Sequence, residues 1–112
     1  LKGGERMQAI LNCFTRMRFV DKKTAELDFK QKEDIGSAPK HLIPWFEYSK
    51  RPMAGTPICF GHWSMLGLIR RDDIVAIDTG CLWGGKLTAV RFPDRRIYQE
   101  DCPCWADPFK YK

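Results

Sequence analysis

The sequence predicts an α+β fold in which one N-terminal helix is followed mainly by strands. Met7, Ile10, Leu11 and Phe14 recur at the spacing of one helical face. Further along the chain, apolar residues first alternate with polar ones and then form short continuous runs, which are the two patterns of β-strands. The 112 residues are 44% hydrophobic and 29% charged, a composition that is typical of a globular protein and argues against a disordered chain.

The N-terminal third predicts a helix and then a β-hairpin. The helix should run from about Glu5 to Thr15, directly after a pair of glycines. The period then changes to two, because Met17 and Phe19, and later Leu27 and Phe29, alternate with charged residues. The polar stretch between these two segments would form the turn of the hairpin.

The stretch from Gln31 to Met53 has three prolines and no sustained period, so we expect a long ordered connection. Four large apolar side chains would fix this connection to the rest of the protein: Leu42, Ile43, Trp45 and Phe46.

The remaining chain predicts four further strands. Pro57–Phe60 and Ile74–Ile77 are continuous apolar runs, as expected of strands that are covered on both faces. Leu87–Phe92 and Arg96–Glu100 should form an antiparallel hairpin around Pro93-Asp94-Arg95.

The organisation of the chain indicates a piece of a larger domain. Strands that are buried on both faces need covering layers, and one helix and one hairpin hardly supply them. The chain also begins with Leu1 instead of methionine. We therefore expect residues 1–112 to be a portion of one domain, with residues 102–112 as a candidate disordered tail.

The distribution of charged and apolar residues limits the kinds of partner that the protein is expected to bind. The formal charge is +5, but the basic residues are dispersed among acidic ones and form no stripe of the kind that binds nucleic acid. No apolar run approaches the ~18–20 residues that span a bilayer. We expect no membrane and no nucleic-acid polymer as a partner, although a small RNA-binding module that uses Arg16, Arg18 and the tryptophans stays an alternative.

The five cysteines favour free thiols in a reducing cytoplasm. Cys13 and Cys59 lie on predicted apolar faces. Cys102 and Cys104 are separated by a single residue, whereas zinc knuckles use two to four, and no second Cys/His pair accompanies them.

The chemistry is concentrated where two predicted strands end. His62 follows Gly61 at the end of the first apolar run, and Asp78-Thr79-Gly80 follows the second. Open sheets commonly place ligand groups at such ends, and a carboxylate there could orient an imidazole or bind a metal. One histidine is too few for a metal site, so a structural imidazole is the alternative.

Two arginines and two tryptophans are candidate substrate contacts. Arg16 and Arg18 would share one face of the first strand and could hold phosphate oxygens; the alternative is an exposed hairpin face. Trp63 and Trp83 could stack on a base, but such aromatic residues are more often core. The chain has no nucleophile–base pair, Walker loop or dinucleotide fingerprint, so any catalysis must use metals with ligands outside it.

These motifs together resemble a known family, the bacterial symmetrical diadenosine tetraphosphatases, which are calcineurin-like metallophosphoesterases. The resemblance covers about residues 4–99. It is carried, in order, by Asn12-x-Phe14-Thr15-Arg16-Met17-Arg18-Phe19, Leu27-Asp28-Phe29, Ala38-Pro39, Pro44-Trp45-Phe46, Phe60-Gly61-His62-Trp63 and Asp78-Thr79-Gly80-Cys81-x-Trp83-Gly84-Gly85-x-Leu87-Thr88.

The resemblance implies a C-terminal portion of a β-sandwich that is flanked by helices, with two divalent metal ions where strands end. Manganese, cobalt and magnesium are the candidate ions. The family hydrolyses diadenosine tetraphosphate and related dinucleoside polyphosphates, giving two ADP from the former by a two-metal mechanism. We expect a cytoplasmic location for the protein. A bacterial phosphoprotein phosphatase of the same superfamily is the alternative.

Carried over to this chain, the resemblance makes His62 a metal ligand and Arg16 or Arg18 a phosphate-holding residue. Trp63 is a further candidate substrate contact, and Asp78, Thr79 and Gly80 correspond to a loop that closes over the site. The family's Asp-x-His, Gly-Asp and Gly-Asn-His motifs do not occur in these residues. No catalytic residue is therefore assigned, and this chain alone should be inactive.

Overall fold

The structure, a computed structural model, describes residues 1–32 and 34–107. These divide into two compact units, Leu1–Gly55 and the described part of Thr56–Lys112. That both units belong to one domain of a longer protein stays a prediction.

The first unit contains helix α1 and a small antiparallel sheet. Helix α1 spans Gly3–Arg16, slightly longer than predicted. The sheet has the strand order β2-β1-β3. Its strands are β1 (Phe19–Asp21), β2 (Leu27–Asp28) and β3 (Leu42–Pro44).

The predicted hairpin is confirmed by the pairing of β1 with β2, in which Phe19 lies opposite Asp28. The connection that follows is more regular than predicted, because β3 within it pairs with the other edge of β1. Of the four side chains expected to fix this connection, three are buried, and these are Leu42, Trp45 and Phe46. The core of the unit forms around them and the fully buried Phe19.

The second unit contains two three-stranded sheets. In one, β4 and β6 are parallel and β5 is antiparallel to β6. In the other, β7, β8 and β9 are consecutive antiparallel strands. The bounds are β4 (Ile58–Phe60), β5 (Ile69–Arg70), β6 (Ile74–Ala76), β7 (Asp78–Thr79), β8 (Lys86–Arg91) and β9 (Arg96–Asp101).

All four strands predicted for this region are present, and the α+β class is confirmed. All three residues of β6 are buried, as expected of a strand with both faces covered. Strand β4 differs, because Cys59 is exposed instead of lying on an apolar face. No helix in the described part of the chain combines the length and hydropathy that a bilayer span requires.

Within the described residues, the C-terminal segment is hydrogen-bonded to the loop between β7 and β8. The amide of Cys102 donates to the carbonyl oxygen of Gly85 at 2.9 Å, and the amides of Trp105 and Ala106 both donate to that of Leu82. The candidate disordered tail extends to residue 112, and its last five positions lie outside the described residues.

Candidate functional site

The parallel pairing of β4 and β6 brings the two predicted strand ends together. Phe60 lies opposite Ala76 in the ladder, and the amide of Ile77 donates to the carbonyl oxygen of Phe60 at 3.0 Å. His62 and Asp78 each follow this pair by two residues, so they emerge at the same edge of the sheet. A Cβ built on Gly61 would lie 3.9 Å from the Cβ of Asp78, which shows how closely the two chain segments approach.

His62 occupies an unusual backbone conformation. Its φ is 76°, in the left-handed region that residues with a side chain adopt at an energetic cost, and the residue is exposed. Such strain persists where the surrounding structure imposes it, and it is frequent at binding and catalytic sites. The conformation turns the chain sharply out of β4 and leaves the histidine at the surface of the sheet edge.

Trp63, the next residue, does not fit the role of a stacking platform. Its side chain is among the largest that are fully buried, with 2% of its surface exposed. The ring is therefore packed inside the second unit and has no face to offer to a base. Trp63 is therefore a core residue, as the alternative interpretation of the sequence had it, and we leave it out of the candidate substrate contacts.

The loop after β6 is organised by its own side chains. Oδ1 of Asp78 accepts a hydrogen bond from the amide of Gly80 at 3.1 Å, which fixes the carboxylate within a tight turn. The residue Asp78 is half-buried. Because this bond uses one carboxylate oxygen, the other can still accept a hydrogen bond or bind a cation.

A series of side-chain hydrogen bonds also holds the start of this loop, at Thr79, against the neighbouring strands β8 and β9. Oγ1 of Thr79 donates to the carbonyl oxygen of Lys86 and lies 2.5 Å from Oγ1 of Thr88. Since a hydroxyl has one proton, Thr88 must be the donor to Thr79. Gln99 in turn donates to Oγ1 of Thr88 at 3.1 Å, so the buried Thr88 is fully engaged.

The segment that follows is closed by a disulfide bond between Cys81 and Cys102, whose Cα atoms are 5.2 Å apart. The expectation that all cysteines are free thiols was therefore wrong for this pair. The physical reason is the hydrogen bond from the amide of Cys102 to Gly85, which brings the end of β9 against the loop and the two cysteines within bonding distance. Cys13, Cys59 and Cys104 remain free.

Two of the predicted site residues, Arg16 and Arg18, lie in the first unit and differ from their expected placement. Helix α1 continues through Arg16, so this residue ends the helix and does not share a strand face with Arg18. Arg16 stacks over the ring of Phe29 at 5.4 Å. The carbonyl oxygen of Arg18 accepts the amide of Trp45 at 2.8 Å, which fixes the backbone just before β1.

The environment of Arg18 nevertheless suits an anion. Its Nε is buried and has no hydrogen-bond partner among the described residues. Burial, and then the charge of the neighbouring Arg16, lower the pKa of the Arg18 guanidinium from its usual value. The guanidinium groups of Arg16 and Arg18 repel each other, and Nε of Arg18 lacks an acceptor. An anion with several oxygen atoms would reduce the repulsion and accept the hydrogen bond.

Within the described ranges, no three histidine, cysteine, aspartate or glutamate side chains form a group that could hold a metal ion. His62 and Asp78 supply at most two ligands, whereas a two-metal centre needs more. The residues of this chain therefore do not fit such a centre by themselves.

Comparisons with known proteins identify the relatives of this chain. Over 107 residues and 96% of its length, the chain is 46% identical to a Chromobacterium violaceum protein named symmetrical bis(5′-nucleosyl)-tetraphosphatase. Proteins of the same name from Bordetella pertussis and Dechloromonas aromatica are 42% and 45% identical over 95% and 98% of the chain. The chain is homologous to part of these tetraphosphatases. It spans only 38% to 40% of their length.

A solved structure has a fold similar to that of this chain. A crystal structure of a candidate diadenosine tetraphosphatase aligns with 79% of this chain and 36% of its own, with a TM-score of 0.55 and 23% identity. No protein-family model matches the chain. The structural likeness confirms the fold that the resemblance implied.

Proposed function

We propose that this chain is the C-terminal portion of a metal-dependent hydrolase that cleaves diadenosine tetraphosphate symmetrically into two ADP. The observation that carries the proposal is the 46% identity to a symmetrical tetraphosphatase over 96% of the chain. One water is consumed for each central P–O–P link that is broken. Since the chain spans 38% of that relative, most of the catalytic machinery would lie in the remaining part.

His62 would provide an imidazole ligand to one of two divalent cations, with manganese, cobalt and magnesium as the candidates. Its exposed position at the sheet edge and its imposed backbone conformation support this role. Asp78 emerges beside it and could orient the imidazole through a hydrogen bond or bind a cation directly. The loop Asp78–Gly80, held by Thr79 and Thr88, would keep that carboxylate in place.

Arg16 and Arg18 would hold phosphate oxygens of the substrate. The support is the buried, unsatisfied Nε of Arg18 and the charge of Arg16 nearby. Binding at this position neutralises the repulsion between the two guanidinium groups. The substrates would be diadenosine tetraphosphate and related dinucleoside polyphosphates, in the cytoplasm, with neither a nucleic-acid polymer nor a membrane as partner.

The deciding experiment uses a chimera in which this chain replaces the matched segment of the Chromobacterium violaceum relative. With divalent metal, the chimera should convert diadenosine tetraphosphate to ADP and leave a phosphopeptide untouched, as followed by chromatography. Preference for the phosphopeptide would favour a phosphoprotein phosphatase instead. Salt-sensitive RNA binding by the 112-residue chain alone would favour the RNA-binding alternative.

In the same chimera, His62→Ala should reduce kcat steeply and weaken the binding of one metal ion, as measured by metal titration. The other histidine provides the matched control, because His41 is exposed and lies in the first unit. His41→Ala should therefore leave kcat and metal content unchanged. Equal kcat values for the two variants would refute the ligand role of His62.

Arg18→Ala should lower kcat/KM about tenfold or more, as expected when a hydrogen bond to a charged group is lost. Arg16→Ala should act in the same direction. Arg6→Ala, on the same helix as Arg16 but at its beginning, is the control and should have no effect. Unchanged kcat/KM in both test variants would show that these arginines do not hold the substrate.

A further inference from the structure

The second unit contains a cavity of about 380 Å³ that the proposed function does not use. This volume lies within the range of small-molecule sites. The cavity lies between the turn that joins β5 to β6 and the hairpin of β8 and β9. Its lining residues are Arg70, Arg71, Asp72, Val75, Val90, Arg95 and Ile97.

Two of the arginines at this cavity are held in fixed positions. Arg95 donates from Nη1 to the carbonyl oxygen of Arg71 at 2.7 Å and from Nη2 to that of Asp72 at 3.1 Å. Arg71 is paired with Asp73 through two bonds, from Nε at 2.9 Å and from Nη2 at 2.7 Å. Little side-chain entropy would be lost when a ligand binds guanidinium groups that are already ordered.

Arg95 keeps hydrogen-bond donors for a ligand. A guanidinium carries five N–H donors, and the hydrogen bonds of Arg95 to the backbone use two of them. Arg70 is exposed, and among the described residues it has no ion-pair partner. The lining residues include three arginines and one carboxylate, that of Asp72, and Arg71 is also paired with Asp73.

The other side of the cavity is apolar. Val75 is buried in β6, while Val90 and Ile97 are a directly opposed pair in the β8–β9 ladder. A ligand for this cavity therefore needs an anionic group at one end and an apolar body at the other.

We propose that this cavity binds an organic phosphate, with its phosphoryl group against the three arginines and its apolar body against Val75, Val90 and Ile97. Arg70 ends β5 and Arg71 begins the turn after it, whereas Arg95 lies in the turn between β8 and β9. A phosphoryl group has three terminal oxygens and can accept from donors in several directions, whereas a planar carboxylate suits a single guanidinium fork.

The site is separate from the one at the strand ends. Arg70, Arg71 and Asp72 precede β6, whereas Asp78 follows it, so the two sites flank opposite ends of the same strand. The proposal thus does not depend on the hydrolase activity, and the experiment measures binding only.

The test is a titration of the isotope-labelled 112-residue chain with phenyl phosphate at low salt, followed by NMR. The spread of amide shifts first establishes that the chain is folded. The same titration with the metal-free chimera covers the case in which it is not. We expect saturable binding that shifts the signals of Val75, Val90 and Ile97, with at least several-fold weaker binding of inorganic phosphate, which lacks the apolar body.

Three variants locate the site. Arg70→Ala should weaken phenyl phosphate binding about tenfold. Val90→Trp should abolish it by filling the cavity without changing the charge. Arg96→Ala is the matched control, because Arg96 is an exposed hairpin arginine that does not line the cavity. Absence of saturable binding, equal affinity for inorganic phosphate, or equal weakening by Arg70→Ala and Arg96→Ala would each overturn the proposal.

Discussion

The positive φ of His62 gives a residue-scale test of whether this position serves function at the expense of stability. Glycine adopts φ near 76° without penalty, whereas alanine keeps the Cβ clash. We expect His62→Gly to unfold with a free energy about 1 kcal/mol higher than His62→Ala, as measured by urea denaturation. Neither variant should support hydrolysis in the chimera.

The control for this comparison is a residue in extended backbone. Ala89 lies in the middle of β8, where glycine is unfavourable, so Ala89→Gly should lose about 0.5–1 kcal/mol of unfolding free energy. A His62→Gly variant that is less stable than His62→Ala would show that the left-handed conformation is not maintained in solution.

Asp21 provides a pH-dependent prediction, again at a single residue. Its Oδ1 accepts the amides of Lys23 at 2.8 Å and Thr24 at 3.1 Å, and these bonds, led by Lys23, lower the pKa of the carboxyl. Because the pKa is lower in the folded chain, the stabilisation is present above the unfolded pKa of about 3.9 and is lost as the pH falls through the folded value.

Asp21→Asn should therefore reduce the urea midpoint at pH 7, and the difference from the unsubstituted chain should shrink below about pH 4. Glu26→Gln changes an exposed carboxylate in the same hairpin whose side chain accepts no hydrogen bond within the described residues. As the control, it should leave the urea midpoint at pH 7 nearly unchanged. A difference at Asp21 that persists unchanged at pH 2 would contradict the assignment.

Among the strands of the described residues, the sequence predicted six and missed the other three, β3, β5 and β7. The hairpin of β8 and β9 starts and ends within one residue of its predicted bounds, because six-residue strands around a polar turn have a clear pattern. Strands β3, β5 and β7 have two or three residues, which is too few to establish a period. They form because longer or more apolar neighbours offer them a free edge.

The loop between β7 and β8 is the element whose packing is most constrained. A Cβ on Gly85 would overlap the carbonyl oxygen of Thr79 and lie 2.9 Å from that of Gly80. Because both atoms belong to the backbone, they cannot move aside as a flexible side chain would. Gly85→Ala should therefore cost about 2 kcal/mol of unfolding free energy. Gly55→Ala, where a Cβ meets open space, is the control and should be near neutral.

The disulfide gives this loop a second constraint that the sequence did not predict. The two cysteines are 21 residues apart, and only the folding of β8 against β9 brings them together. Cross-linking a segment of this length should stabilise the oxidised chain by about 3 kcal/mol. The double variant Cys81→Ser/Cys102→Ser should lose that amount in urea denaturation, whereas Cys59→Ser should not. Equal stability of the oxidised chain and the double variant would contradict a disulfide that constrains the unfolded state.

For the whole molecule, the sequence located the candidate site but not what supports it. The proximity of His62 and Asp78 was predictable, because parallel strand ends meet at one edge of a sheet. The bonds from Gln99 to Thr88 and from Thr88 to Thr79 were not, since they join hydroxyl and amide groups on three strands. Nor does a sequence distinguish a buried Trp63 from an exposed one, because aromatic residues serve both in cores and at binding surfaces.

Helix α1 leaves the apolar side of its surface exposed. None of its residues is buried, although it carries a regular apolar stripe. In that stripe Met7, Leu11 and Phe14 are 57%, 58% and 84% exposed. A monomeric domain rarely leaves such a stripe uncovered, and the tetraphosphatase relatives are more than twice as long as this chain. In a protein of the relatives' length, we therefore expect the additional part to cover this face.

The prediction is a difference between two proteins that carry the same substitution. In the 112-residue chain, Leu11→Asp should change the unfolding free energy by less than about 0.5 kcal/mol, because the side chain is already exposed. In the chimera, where leucine would be buried, the same change should cost several kcal/mol, since it places a charge in an apolar interface. Gln8→Asp is the control on the same helix and should be mild in both proteins. If Leu11→Asp is equally mild in the chimera, the apolar face of α1 is not covered by the rest of a tetraphosphatase, and another explanation for the stripe is needed.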